Sequence, residues 1–360
     1  MVMNPAPIPP RAWPPQQGSL FDRSFDYVPP PGFDPLTASQ ADLETYGIVP
    51  RPDPVKEQVS FLNWLRIFAP PIEFVEPQMT ERRALWRLNP AATSPQLARG
   101  GGASRLQTSR NWSGAFIVPT DDSMVVLVAG RWFIPALTLP PPAYQEAGAT
   151  QYVCSTWVGL DGQRRYPNSS LPQAGTMQIL HLSPVAPPQT SALAFFQWWD
   201  QETGGTFLQL KGLHVHPGDE MVSAVWAKTE TRAIAYLRNH TTRKMAIVGA
   251  TSPIVNLGSG PPVGLTISGA TAEWILERPT DPVTGVPYAF PAYSATTFAC
   301  WAGAAPAGGA GRPKTWHDLR TARFIRLYDT LHNPTRTVFV SMPNREGDTA
   351  VQLEYGDFKD

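Results

Sequence analysis

The chain of 360 residues is long enough for one large domain or two ordinary ones, and it carries 29 basic and 29 acidic side chains. This zero net charge excludes the broad electrostatic footprint that nucleic acid or anionic lipid requires. Proline accounts for 40 residues, or twice its usual frequency of ~5%. Charged residues account for only 16%. The composition argues against a helical bundle and favours an all-β domain, alone or with a proline-rich arm.

The prolines concentrate at the N-terminus, where residues 1–54 hold 13 of the 40. Proline lacks a backbone donor and favours extended backbone, so we predict an arm over residues 1–50 with little core of its own. The arm has neither the basic start nor the apolar stretch of a secretory signal peptide.

A helix is predicted over residues 53–69, because Asp53 is a good N-cap and Pro54 suits the first helical position. Apolar residues follow at roughly helical spacing, and Pro70 and Pro71 end the helix. These apolar residues are Val55, Val59, Leu62, Trp64 and Leu65. A second short helix is predicted from Thr80 to Leu88.

We therefore divide the chain into a proline-rich extension, residues 1–107, and a domain, residues 108–357. Two interpretations of the extension remain open. It is either a structural part of the domain or a prosegment that covers an active site. In the second case, acid incubation should shorten the chain at residues 98–109, where the glycine-rich stretch 99–104 forms an accessible linker.

Beyond residue 107, more than ten short stretches of strand-forming residues alternate with turn signals. This pattern predicts an all-β sandwich or barrel without a long helix. The stretches include residues 111–119, 124–129, 176–182, 192–199, 206–211, 220–228, 231–239, 273–276, 337–340 and 350–354.

Several common chemistries find no support in the sequence. Cys154 and Cys300 are too few for a disulfide framework and are expected to be buried free thiols. His214 and His216 share a strand face, but no further ligand pattern accompanies them. No nucleophile-elbow, phosphate-loop or dinucleotide motif is present. We therefore expect neither a metal nor a cofactor.

Four segments in a fixed order carry a stronger signal: NWSG at residues 111–114, YVCSTWVGLDG at 152–162, LPQAG at 171–175 and AEWILE at 272–277. This ordered set resembles the eqolisins, the glutamic endopeptidase family typified by scytalidoglutamic and aspergilloglutamic peptidases. The resemblance extends over residues 108–357. It implies a concanavalin-like sandwich of two antiparallel sheets, and it also implies that the protein is secreted, as family members are. It also implies a polypeptide substrate, and we expect a monomer that binds neither nucleic acid nor membrane.

The resemblance assigns candidate site residues by matching positions. Gln173 and Glu273 match the catalytic glutamine and glutamate, and Trp157 and Asp161 match a supporting pair. Gln197 stands where family members carry a glutamate. We also expect Trp157, Trp198 and Trp199 to wall a groove that seats apolar substrate side chains.

The chemistry of these side chains fits amide hydrolysis. A Glu273 carboxylate could take a proton from water and return it to the leaving amine. The carboxamide of Gln173 offers both an acceptor for the water and a donor for the substrate carbonyl. Asp161 could orient Gln173 or neighbouring amides. The predicted function is thus an endopeptidase that acts at acidic pH through a Gln/Glu dyad, at a milder optimum than the resemblance alone suggests because the chain is not acidic.

Two other functions remain open from sequence alone. A non-catalytic β-sandwich module could bind peptide or glycan in an aromatic groove, since one fold hosts many functions. A structural protein could use the proline-rich arm to bind a partner. Loss of activity on changing Gln173 or Glu273 would exclude the binding module, and a proteolytically active monomer in solution would argue against the structural protein.

Overall fold

A computed structural model of the chain describes residues 12–82, 106–119, 122–162, 170–200, 206–256, 261–281, 285–306, 311–329 and 338–358. The described part is almost entirely β-structure, with two α-helices near the N-terminus and two single 3-10 turns. The helices are α1 (Gln40–Thr45) and α2 (Gln58–Phe68). No described helix is both long and apolar enough to cross a membrane.

The strands before residue 162 are β1 (Ser24–Tyr27), β2 (Glu73–Phe74), β3 (Met79–Arg82), β4 (Leu106–Ser109), β5 (Trp112–Ile117), β6 (Ser123–Phe133), β7 (Leu137–Thr138) and β8 (Gln151–Leu160). Those up to residue 264 are β9 (Leu171–His181), β10 (Gln189–Trp199), β11 (Phe207–Leu210), β12 (Glu220–Thr229), β13 (Arg232–Asn239), β14 (Lys244–Thr251), β15 (Ile254–Val255) and β16 (Val263–Gly264). The remainder are β17 (Ala272–Glu277), β18 (Ala292–Tyr293), β19 (Thr296–Pro306), β20 (Thr315–His317), β21 (Arg323–Asp329), β22 (Val338–Glu346) and β23 (Ala350–Phe358).

Two sheets face each other and join through one edge. Sheet I runs in the spatial order β3-β11-β10-β9-β8-β17-β5-β21, with all neighbours antiparallel. Sheet II runs β14-β13-β12-β6-β19-β23-β22, and β22 pairs with β21 to connect the two. The predicted all-β sandwich is confirmed.

One face of each sheet packs into a shared inner core. Trp274 of sheet I donates from its indole nitrogen to the carbonyl of Ala129 in sheet II, at 2.7 Å. The Ser223 hydroxyl of sheet II donates to the carbonyl of Ala174 in sheet I, at 3.2 Å. Because side chains alternate along a strand, every second residue of these strands is left for the outer faces.

The N-terminal extension covers the outer face of sheet II. Strand β1 extends this sheet by pairing with β14, and β2 adds to β14 in parallel. The covering residues form, with the sheet, what we call the back cluster. The extension supplies to it Phe25, Tyr27, Leu43, Ile48, Val49, Trp64, Ile67 and Phe68. Residues 12–50 therefore have no separate core and share that of the domain.

Two local predictions in the extension were wrong. Helix α2 begins at Gln58, and it buries Trp64, Ile67 and Phe68 while Val59 and Leu62 stay exposed. The predicted helix is therefore present but starts five residues later than expected, and of its predicted apolar residues Trp64 is buried whereas Val55, Val59 and Leu62 are exposed. The second predicted helix is replaced at its start by β3, whose four residues pair with β11. Its remainder, and the predicted linker at 99–104, lie outside the described residues.

Candidate functional site

Four side-chain positions form a straight row across sheet I, on its outer face. Glu273 of β17 is paired with Gly159 of β8, Gly159 with Gln173 of β9, and Gln173 with Gln197 of β10. Directly paired residues project to the same face, and strands lie about 4.8 Å apart. The backbone positions of Glu273 and Gln173 are therefore separated by about 10 Å. We call these four positions the dyad row.

Gly159 keeps the space between the two candidate catalytic side chains clear. A Cβ atom at this position would lie 2.7 Å from Leu171 Cδ1, 3.1 Å from the Trp157 ring and 3.2 Å from Gln173 Cβ. The first of these distances is shorter than real Cβ contacts, so a side chain would fit only if its neighbours shifted. Strand β8 thus separates the two dyad residues. Because its residue at this point is the glycine of the W-V-G-L-D-G motif, no side chain lies between them.

Gln173 is fully buried, and its amide is held in one orientation by its neighbour in the row. Its Nε2 donates to Gln197 Oε1 at 2.9 Å. Its Oε1 has no hydrogen-bond partner among the described residues. An amide nitrogen carries two hydrogens, so one N–H remains for a substrate carbonyl while Oε1 can accept from water. Gln197 can fill this orienting role as an amide, without the carboxyl of the family pattern.

Glu273 is also fully buried, and neither carboxyl oxygen accepts a hydrogen bond from the described part of the chain. Burial raises the pKa of Glu273 well above its ordinary value, and the nearby Asp161 carboxylate raises it further. The Thr271 hydroxyl, which lies near the carboxyl without the geometry of a full hydrogen bond, opposes this rise. An unpartnered buried carboxyl is costly to keep, which is typical of a group retained for chemistry.

Asp161 holds the segment that leads into β17. Its carboxylate accepts hydrogen bonds from Ser268 N at 2.6 Å, Ser268 Oγ at 2.8 Å and Ala270 N at 2.8 Å. Its own backbone N–H donates to the carbonyl of Thr271, two residues before Glu273. Burial raises the pKa of Asp161 to about 6 despite these hydrogen bonds. Asp161 was expected to orient either Gln173 or neighbouring amides. In the structure it contacts backbone amides and not Gln173.

A second buried carboxyl on β17 was not identified as a candidate from sequence. Glu277 shares the outer face with Glu273 and accepts from Trp157 Nε1 at 2.8 Å and from Trp112 Nε1 at 3.2 Å. The two indoles meet edge to face, with ring centroids 5.3 Å apart. Burial raises the pKa of Glu277 to about 8. Its even spacing from Glu273 within AEWILE was the available signal, because residues four apart on a strand share a face.

The three tryptophans expected to wall the groove divide between the two faces of sheet I. Trp157 and Trp199 lie on the outer face with the dyad row, and both are buried. Trp199 is two residues from Gln197, and its indole nitrogen has no partner among the described residues. Trp198 points the other way, into the inner core, so it does not line this face.

Comparison with known proteins gives a family. The sequence profile described as the Peptidase A4 family matches residues 110–337, which is more than half of the chain. The search of curated protein sequences gave no significant match.

Three solved structures are similar to this chain at low identity. Scytalido-glutamic peptidase with a transition state analog inhibitor is 20% identical over 69% of this chain and 98% of its own, with a TM-score of 0.48. The eqolisin SCP-B, in a complex with the tripeptide Ala-Ile-His, is 18% identical over 69% and 98%, with a TM-score of 0.43. Aspergilloglutamic peptidase from Aspergillus niger is 20% identical over 57% and 99%, with a TM-score of 0.42. On the family match, the chain belongs to the Peptidase A4 family, the eqolisin glutamic endopeptidases.

Proposed function

We propose that the protein hydrolyses internal peptide bonds at mildly acidic pH with Gln173 and Glu273 as its catalytic dyad. The observation that carries this proposal is the dyad row itself. Two buried side chains with unpartnered polar atoms flank a glycine on one face of the sheet. Membership of a peptidase family supports hydrolysis over a non-catalytic binding module.

The proposed reaction needs no group beyond the dyad and water. The Glu273 carboxylate removes a proton from water as the water oxygen attacks the carbonyl carbon of the substrate. The carbonyl π electrons move to its oxygen, which the remaining N–H of Gln173 stabilises. Protonated Glu273 then gives its proton to the amide nitrogen as the C–N bond breaks, and the carboxylate is regenerated.

The buried setting of Glu273 has two consequences for this cycle. A raised pKa makes the carboxylate a stronger base when it is ionised. It also keeps the carboxyl protonated to higher pH than an ordinary glutamate. Because the base must be ionised, the acid limb of activity should lie above pH 4.5, the ordinary value for glutamate. The proposal is therefore a mild optimum and not activity in strong acid.

Replacing Glu273 by Gln tests the proposal, because the amide keeps the size of the side chain but cannot carry the proton. We expect no cleavage of an unfolded polypeptide at any pH from 4 to 8. Glu277→Gln is the matched comparison, since it removes a buried carboxyl from the same strand and face. It should lower stability yet leave measurable hydrolysis. Normal cleavage by the Glu273→Gln enzyme would refute the dyad.

For the extension, we propose a boundary near residue 107. We also propose that the extension is a structural part of the domain, which stays bound even if the chain is cleaved near this boundary. The family match begins at residue 110, which supports the boundary. The packing of β1, β3 and α2 on the domain supports retention after cleavage. After acid incubation, a shortened chain should still elute together with residues 12–82 under native conditions. Dissociation of that fragment would contradict the structural role, and full activity of an uncut chain would contradict a prosegment.

A further inference from the structure

The dyad row continues in both directions, and each end carries an arginine. On one side Glu273 is paired with Phe116 of β5, which is paired with Arg323 of β21. On the other side Gln197 is paired with Phe207 of β11, which is paired with Arg82 of β3. All of these pairings are direct and antiparallel, so the eight strands of the extended row place these positions on one face. The dyad row is thus followed at each end by a phenylalanine and then an arginine.

Neither arginine is neutralised by the described part of the chain. The Arg323 guanidinium lies 6.0 Å from the centroid of the Phe116 ring, a cation–π contact that orients it beside the row. Arg82 Nε donates to the amide oxygen of Gln209 at 3.2 Å. Among the described residues, no carboxylate lies within ion-pair distance of either guanidinium.

The acidic groups of this face do not offset the two cations. Glu273, Glu277 and Asp161 are all buried, and burial disfavours their charged forms. Arg323 is half-buried and Arg82 is exposed, so both remain accessible to a ligand. A guanidinium that is partly desolvated and free of a carboxylate partner is well suited to a charge-assisted, bidentate bond with one.

We propose that Arg323 and Arg82 are specificity residues, which select substrates with an acidic side chain on each side of the cleaved bond. This inference rests on the proposed dyad, because the dyad fixes where the bond is cut. It goes beyond the dyad in naming the substrate class as acidic polypeptide segments.

The row also sets the distance between the acidic residues and the cleaved bond. Arg323 is two strand spacings from Glu273, or about 10 Å, and Arg82 is three spacings from Gln173, or about 14 Å. An extended chain advances about 3.3–3.6 Å per residue. The cleaved bond lies between the two dyad residues, at the position of Gly159, which adds one strand spacing on each side. A substrate that lies along the row therefore meets Arg323 about four residues from the cleaved bond, and Arg82 about five or six residues away on the other side.

The test compares peptides that share one cleavable centre and differ at a single site. Glu or Gln is placed four, five or six residues before the cleaved bond in one set, and four, five or six residues after it in the other. Wild-type enzyme should cleave the Glu peptides with a kcat/KM about fivefold to tenfold higher than their Gln counterparts. The effect should lie mainly in KM and should shrink as salt is added.

Arg323→Met should abolish the preference on one side, and Arg82→Met the preference on the other, so that each variant cleaves the Glu and Gln peptides of that side with the same kcat/KM. Arg320→Met is the matched control. Arg320 precedes β21, is exposed and pairs with Asp318, so its loss should leave both preferences intact. Equal cleavage of Glu and Gln peptides by the wild type would overturn the proposal, as would preferences that survive both arginine variants.

A binding measurement separates this inference from the proposed dyad. Glu273→Gln enzyme should bind fluorescent Glu peptides about fivefold to tenfold more tightly than Gln peptides, because the arginines are unchanged. If no peptide is cleaved by the wild type but this difference persists, the dyad fails and the specificity residues stand. If peptides are cleaved and bound without discrimination, the dyad stands and the arginine proposal fails.

Discussion

The two outer faces of the sandwich differ in what covers them and in how their buried polar atoms are hydrogen-bonded. On sheet II, the N-terminal extension covers the strands, and two buried donors at this interface are paired, although Ser24 Oγ and Trp301 Nε1 have no partner among the described residues. Trp64 Nε1 donates to the carbonyl of Val49 at 2.8 Å, and the Tyr236 hydroxyl donates to the carbonyl of Gly47 at 2.6 Å. On sheet I, Gln173 Oε1 and both oxygens of Glu273 are equally buried but have no partner among the described residues.

Paired polar atoms stabilise the fold, whereas the unpaired atoms of the proposed dyad destabilise it and are available to a substrate. A satisfied buried hydrogen bond contributes about 0.5–1.5 kcal/mol, whereas an unsatisfied buried polar atom costs about 1–3 kcal/mol. The back cluster offsets such costs with aromatic burial, each large side chain contributing about 1.5–3 kcal/mol. The sandwich can therefore retain an unfavourable carboxyl on one face because the other face is stabilised by the extension.

The largest effect should follow from breaking the back cluster. Trp64→Ala removes a buried indole that contacts Phe68 at a centroid distance of 5.0 Å, and it should lower the free energy of unfolding by about 3–5 kcal/mol. Activity per folded molecule should change little, because α2 lies on the face away from the dyad row. Denaturant unfolding with parallel activity measurements checks both statements.

Leu62→Ala, on the exposed side of the same helix, is the control for that experiment. Leu62 is 54% exposed, so its replacement should alter stability by about 0.5 kcal/mol at most. Equal destabilisation by both variants, or loss of activity at full folding in Trp64→Ala, would show that the two faces are not independent.

A somewhat smaller change, in the activation free energy of hydrolysis, is expected for a substitution in the dyad row. Gln173→Ala removes the proposed oxyanion donor and should lower kcat by about a hundredfold or more, equivalent to about 2.7–4 kcal/mol. Gln178→Ala is the matched control, because Gln178 is a buried glutamine of the same strand on the opposite face. It bonds to Thr156 and Thr176, so its loss should lower stability and spare the rate.

Sequence patterns predicted the chemistry better than its surroundings. The ordered motifs predict Gln173 and Glu273 as the dyad, which stays a prediction, and the confirmed β-sandwich follows from repeated short strands and turns. The motif also contains Gly159, but its role appears only once β8 is seen between β9 and β17. Pairing of distant strands depends on tertiary packing, which local patterns do not encode. Arg82 and Arg323 are 241 positions apart, and only the register of eight strands places them in one row.

The extension shows where local patterns mislead. Val55, Val59 and Leu62 fit a helical stripe, yet Val55 precedes α2 and all three are exposed. The buried face is defined by where Trp64 and Phe68 meet sheet II. Residue Thr80 likewise suits a helix or a strand, and its pairing with Gln209 of β11 decides for the strand. Tertiary partners thus override weak local propensity at both places.

The smallest expected effect concerns the pH dependence of the dyad. The Asp161 carboxylate raises the pKa of Glu273, so replacing it with the neutral Asn should lower that pKa. If ionised Glu273 is the base, the acid limb of kcat/KM must then move to lower pH, and the variant should gain activity relative to wild type at the acid end. Ser268→Ala removes one hydrogen bond to Asp161 but keeps the carboxyl, so its acid limb should stay close to that of the wild type. A uniform loss of rate in Asp161→Asn, with the limb unmoved, would mean that Asp161 acts only by holding the segment before β17.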